Sequence, residues 1–200
     1  MFNDLRSSLF NINLRTEAPE SGKLLVAEPF LKESHFNHAV ILLVDHAAGY
    51  ASMGLVLNRA TNLTLSDVTD DAGNSDVPIF SGGPVGDDRM FYLHTLGALF
   101  SDSIEVTPGL YIGGNYKEVT DYVKAGYPTE GVLRFYVGYS GWEPGQLEEE
   151  IEKNVWAVTS ATDPAKLLTG AEDSFWHRIV RSMGARYRGW QFHPMEPWAN

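Results

Sequence analysis

The 200-residue chain has no cysteine, which excludes disulfides, thiolate metal sites and a cysteine nucleophile. It also lacks a long uncharged apolar run, and nothing in it approaches the roughly 18 residues that a membrane-spanning helix needs. Basic residues are scarce: 15 Lys and Arg stand against 26 Asp and Glu, a formal charge of −11. Such a surface repels phosphate backbones and anionic lipid, which argues against direct nucleic-acid binding and membrane association. The first twenty residues carry Asp4, Arg6, Arg15, Glu17 and Glu20, so no signal peptide is expected. By elimination the expected location is the cytoplasm.

What is present is ordinary globular material, 44% hydrophobic and 12% aromatic. A chain of this length buries roughly 70% of its unfolded surface and needs no covalent staples. No linker, repeat or low-complexity tract divides it, so residues 1–200 are expected to form one domain. Leu5, Leu9 and Ile12 predict a short helix over 2–12. Leu24 to Ala27 predicts a strand. The run Ala39 to Val44 is apolar without alternation, which predicts a strand covered on both faces. Gly54 to Leu57 then returns as its antiparallel partner. Thr64 and Asp67 have the spacing of a helix start, and Asp70 to Asp76 reads as a polar loop.

Further strands are expected at Pro78–Phe80, Met90–His94, Ile104–Val106, Leu110–Ile112 and Val132–Val137. Asn115 caps a helix striped by Val119 and Val123. Gly138 to Gly141 reads as a turn into a helix opened by Pro144, with Leu147, Ile151 and Val155 facing inward. A last helix spans 171–183, followed by a tail over 184–200 with Tyr187, Trp190, Phe192 and Trp198. Short strands with mostly late helices predict an α+β fold.

No catalytic constellation is intact. His35 and His38 stand three apart and point to opposite faces if extended, and Asp45, His46 and His94 do not complete a ligand set, so no metal site is expected. Ser140 lies in Gly138-Tyr139-Ser140-Gly141, yet Trp142 stands where a nucleophile elbow needs glycine. Gly82-Gly83-Pro84 offers bare amides but no following lysine, which fits a strained turn better than an anion cradle. Glu148, Glu149 and Glu150 suit the positive end of a helix dipole as a solvated face. Arg178, Arg181, Arg186 and Arg188 read as a solvated helix face leading into a docked tail.

Several stretches together resemble the AlgH/YqgE family of bacterial proteins. They are Gly22 to Pro29, Val40 to His46, Gly54 to Arg59, Gly82 to Val85, Leu93-His94, and Gly138 to Ile151 with Asn154 and Trp156. The Gly-Trp-x-x-Gly-Gln-Leu-x-x-Glu core at Gly141–Glu150 is the specific part. The resemblance spans about residues 22–183 and departs from the usual pattern at Glu33-Ser34 and His38, where relatives show Asp-Pro and Arg. It implies a strongly bent, barrel-like antiparallel sheet flanked by helices, and a family without an established activity, one member of which is named as a regulator of polysaccharide production.

The leading expectation is a non-enzymatic binding or regulatory protein, acting as a monomer or small homo-oligomer on a protein or small-molecule partner. No cofactor is expected and no catalytic residue is assigned. Candidate contact residues are His46, Asn58, Gly82, Gly83, His94, Ser140, Trp142 and Gln146. The rival is a hydrolase-like enzyme with a pocket near His46, Asn58, His94 and Ser140. The segment Gly141–Leu147 is expected to be a structural joint first, with Trp142 laid over the sheet and its N–H bonded to a carbonyl.

Overall fold

The computed structural model describes residues 17–161 and 163–193. The helix expected over 2–12 and the end of the aromatic tail, Trp198 included, lie outside these residues.

Among the described residues ten strands form one curled sheet: β1 (Lys23–Ala27), β2 (Val40–Asp45), β3 (Ser52–Val56), β4 (Ala60–Thr64), β5 (Pro78–Ser81), β6 (Val85–His94), β7 (Ser103–Thr107), β8 (Leu110–Gly113), β9 (Leu133–Trp142) and β10 (Trp156–Ser160). The main path runs β10-β1-β2-β3-β9-β6-β8-β7, antiparallel throughout. The antiparallel strands β4 and β5 join at the side, where β5 pairs with β9 in parallel. Among the described residues the α-helices are α1 (Leu65–Val68), α2 (Tyr116–Lys124), α3 (Gln146–Glu152), α4 (Pro164–Leu167) and α5 (Glu172–Ser182). The fold is α+β, as the sequence predicts.

The unalternating run in β2 is explained by two cores. Val40 and Leu42 join Leu24, Val26 and Leu55 under Phe175 and Trp176 of α5. Ile41 and Leu43 point the other way, with Leu25 and Val56, against Trp142, Leu147 and Trp156. Successive side chains of a strand alternate faces, so a strand covered on both sides must be apolar at every position. A third cluster places Val119 and Val123 of α2 on Ile79, Tyr92 and Phe135.

Local chemistry sets several boundaries. The Asp67 carboxylate accepts the Thr64 amide at 2.7 Å, and Asn115 Oδ1 accepts Lys117 and Glu118 amides at 3.0 and 3.3 Å. The polar stretch after α1 contains a 3₁₀ turn, Asp70–Ala72, that buries Ala72.

Four expectations need correction. Gly138 to Gly141 is not a turn: β9 continues through it to Trp142, with Gly138 at φ +71. The chain reverses at Glu143–Gly145, and α3 begins at Gln146 rather than Pro144 because Gly145, at φ +83, is its N-cap. Val155 does not belong to that helix, since the next residue opens β10, an edge strand that the helical pattern had concealed. Of the basic cluster, Arg181, Arg186 and Arg188 are exposed as expected, and only Arg178 is not. Arg178 donates to the carbonyls of Lys166 and Thr169 at 2.7 and 2.8 Å and lies over the Phe175 ring.

Beyond α5 the chain makes a 3₁₀ segment, Ala185–Phe192. Tyr187 and Trp190 are buried there, with Trp190 stacked on Trp176 at 6.2 Å and 7°. Phe192 remains 78% exposed. Among the described residues no helix is long and apolar enough to cross a membrane.

Candidate functional site

The corner where β9 meets α3 is built around one carboxylate. Trp142 is buried against Gly54, at which a Cβ would stand 2.6 Å from Ile41 Cγ2 and 3.4 Å from the Trp142 ring. Its indole N–H donates to Glu150 Oε2 at 2.9 Å, and the Trp156 indole donates to the same oxygen at 2.7 Å. Gln146 Nε2 donates to Glu150 Oε1 at 2.9 Å, while Gln146 Oε1 accepts the Glu143 amide at 3.0 Å. Trp142 thus has the structural placement expected, with a carboxylate where a carbonyl was foreseen. Glu150 is not part of a solvated face. It carries three side-chain hydrogen bonds because α3 turns it back under the two indoles.

A cleft of about 510 Å³ opens beside this corner, where β3, β6 and the end of β9 meet. Phe91 and Tyr139 stand edge to face at 6.0 Å in its wall, next to Trp142. Arg89, Asp45, Glu143 and Gln146 supply its polar groups. Ser52, another lining residue, pairs with Trp142 in the β3–β9 ladder. Its hydroxyl lies 2.7 Å from His46 Nδ1, and the other nitrogen of that ring is 3.9 Å from Glu148 Oε1. Of the expected contact residues, Trp142 and Gln146 line the cleft, and His46 stands behind Ser52.

The other expected residues are placed elsewhere. Asn58 is fully buried, with every amide function used: Oδ1 accepts the Val40 N–H at 2.9 Å, and Nδ2 donates to the carbonyls of His38 and Glu172 at 2.9 and 3.0 Å. Ser140 is 1% exposed and donates to the Gly82 carbonyl at 3.3 Å. Gly82 uses its own N–H on Val137 O at 2.8 Å, and a Cβ there would lie 2.2 Å from Gly138 O. At Gly83, φ +150, a Cβ would meet the Tyr139 backbone at 2.3 Å. Both glycines serve the close approach of two backbones, which only a missing Cβ permits.

His94 is fully buried at the far end of the sheet, paired with Leu133, while Ser140 lies seven residues further along β9. That separation is on the order of 20 Å in extended chain. His94 Nε2 donates to Gly113 O at 3.0 Å, and Nδ1 accepts the Leu96 N–H at 3.3 Å. Burial lowers its pKa, with the Gly113 carbonyl opposing. His46, Asn58, His94 and Ser140 therefore do not share one pocket.

Sequence reasoning missed a second polar cluster, where the loop ahead of β2 meets the start of α5. His38 Nδ1 lies 2.5 Å from Asp173 Oδ1, and His177 Nε2 lies 3.2 Å from Asp173 Oδ2. His38 is fully buried and stacks on Trp176 at 4.0 Å and 10°. Burial lowers its pKa, and the Asp173 hydrogen bond partly restores it. Asp173 and His177 are one helical turn apart, a spacing visible in the sequence, but nothing local pairs them with His38.

The family model described as AlgH-like matches residues 24–188. A UPF0301 protein of Parabacteroides distasonis is 35% identical over 195 residues, covering 96% of this chain and 98% of that protein. One from Bacteroides thetaiotaomicron is 34% identical over 198 residues, covering 98% of this chain and all of the relative. Among solved structures, AlgH from Pseudomonas aeruginosa superposes with a TM-score of 0.66 at 29% identity, covering 86% of this chain and 94% of that one. Protein DIP2367 from Corynebacterium diphtheriae shares the fold, with a TM-score of 0.74 at 21% identity over 92% of this chain and 96% of that one.

Proposed function

The chain belongs to the AlgH-like family, and on that footing we propose that it is a non-enzymatic binding protein acting in regulation in the cytoplasm, with the cleft beside Trp142 as its contact site. The observation that carries this reading is the way the cleft is built. Glu150 locks Trp142 and Gln146 in place from behind, so the wall is formed before anything binds. Preorganised, largely apolar concavities with a few fixed polar groups are where proteins hold small molecules or a partner's side chain. Phe91 and Tyr139 suit an apolar or aromatic body, and Arg89, with Asp45 and Glu143 also lining the cleft, suits a polar head. Control of gene expression or polysaccharide production is what the family resemblance suggests. The net charge of −11 favours regulation through a protein or small molecule over direct contact with DNA.

A thermal-shift screen of metabolites tests the reading. A ligand of the cleft raises the melting temperature of the parent protein and loses its effect on Arg89→Glu. If every stabilising compound acts equally on both proteins, the cleft is not the contact site.

One observation favours a second reading, a hydrolase-like enzyme. His46 is within hydrogen-bond distance of Ser52 at the cleft's edge, and Glu148 stands beyond it, an order that resembles a nucleophile, base and orienting acid. Ser52 rather than Ser140 would then attack. Turnover of short-chain p-nitrophenyl esters that disappears in both Ser52→Ala and His46→Ala would establish it; on the binding reading none is found.

A further inference from the structure

We propose that His38, Asp173 and His177 form a site for one divalent ion of the zinc class, clasping the loop before β2 to the first turn of α5. One donor atom from each residue can be chosen so that all three lie within 4.8 Å of one another. A tetrahedral ion about 2.0–2.1 Å from each donor sets the donors about 3.3 Å apart. His177 Nε2 lies 3.2 Å from Asp173 Oδ2, a separation of that size, while His38 Nδ1 lies 2.5 Å from the other oxygen, Oδ1, so a small turn of the carboxylate is needed to present one oxygen to both rings. Two imidazoles and one carboxylate, with no thiolate in the chain, match zinc and its neighbours better than calcium or magnesium, which prefer all-oxygen shells.

The surroundings hold the donors as a site requires. His38 is fixed by Trp176 on its face, and the same indole meets the His177 ring edge on at 4.9 Å and 69°. His38 and Glu172, the residue before Asp173, both have left-handed backbones, at φ +50 and +54. Non-glycine residues are held there only when their surroundings enforce it. Asn58 does so here, bonding the carbonyls of both residues with one amide group. The second nitrogen of His177, Nδ1, is buried without a hydrogen-bond partner, and the Pro29 backbone interacts with the His38 ring. The side chains of Asp173 and His177 are 34% and 21% exposed, which leaves an entry path and room for a water as fourth ligand.

The rival account is a metal-free array in which Asp173 simply accepts from two imidazoles. The two are separated on the untagged, full-length protein after chelation. Titrated with Co²⁺, it should take up one equivalent with the visible bands of a tetrahedral complex, and Zn²⁺ should displace the cobalt and raise the melting temperature. His177→Ala and Asp173→Asn, changes at partly exposed positions, should each weaken binding by about tenfold or more, while His46→Ala leaves it intact. Absence of cobalt bands in the parent, or uptake that survives both substitutions, overturns the proposal.

Discussion

The indoles of Trp142 and Trp156 share one acceptor, donating to Glu150 Oε2 at 2.9 and 2.7 Å while their rings meet edge to face at 6.3 Å and 83°. One residue comes from the end of β9 and the other from the start of β10, so a single carboxylate on α3 holds two strands and the helix between them. The cleft wall inherits its rigidity from that bond.

The first prediction follows from the shared acceptor. Glu150→Ala removes the partner of two enclosed N–H groups, each worth about 1–3 kcal/mol when left unpaired. A loss of about 2–4 kcal/mol in urea unfolding is expected, with Glu150→Gln retaining part of it. Trp142→Ala should cost about 3–5 kcal/mol as a buried large-to-small change. A Glu150→Ala protein as stable as the parent would place the indoles in contact with water instead.

Gly82→Ala should be worse tolerated than its small size suggests. The new Cβ would meet Gly138 O at 2.2 Å and Leu55 Cδ2 at 2.8 Å, in a part of the sheet that cannot yield without breaking its ladder. A loss of about 3 kcal/mol or more is expected by chemical denaturation. Gly145→Ala places its Cβ in open space and costs only the strain of φ +83, about 1–2 kcal/mol.

Stability should fall with acid between about pH 7 and 5. Burial lowers the pKa of His38 and of His94 below the ordinary 6.5. The unfolded chain therefore takes up protons first as pH drops. Each contribution is fully present above the unfolded value and is lost as pH falls toward the folded one. For His94 the cause is concrete, because protonating Nδ1 expels the Leu96 N–H. Urea midpoints across this range should decline less steeply in His94→Gln than in the parent; an equal slope would remove His94 from the account.

The two-sided burial of β2, the β2–β3 hairpin, the Asn115 cap and the 172–182 helix were legible because each rests on local periodicity or a local hydrogen bond. The Gly-Tyr-Ser-Gly segment was misread for a physical reason. Glycine at a positive φ normally marks a turn, but here Gly82 and Gly83 press against the strand and the missing Cβ atoms allow strand pairing to continue. Trp142 and Gln146 were correctly assigned to one structural joint, since they lie four residues apart. Glu150's role was hidden because an acidic run at a helix start has a simpler dipole explanation. His38, Asp173 and His177 could not be joined from sequence, since 135 positions separate the first two. His38 was visible there as a departure from the family pattern and as the neighbour of His35, neither of which points to Asp173 or His177.

The measurement that tests the binding reading most directly is complementation of a chromosomal deletion, scored by the genome-wide transcript profile. Arg89→Glu changes an exposed cleft residue and should preserve the melting temperature while failing to restore the profile; Ser52→Ala should restore it. The reverse pattern, with Arg89→Glu active and Ser52→Ala inactive at full stability, would contradict a binding cleft and favour the hydrolase.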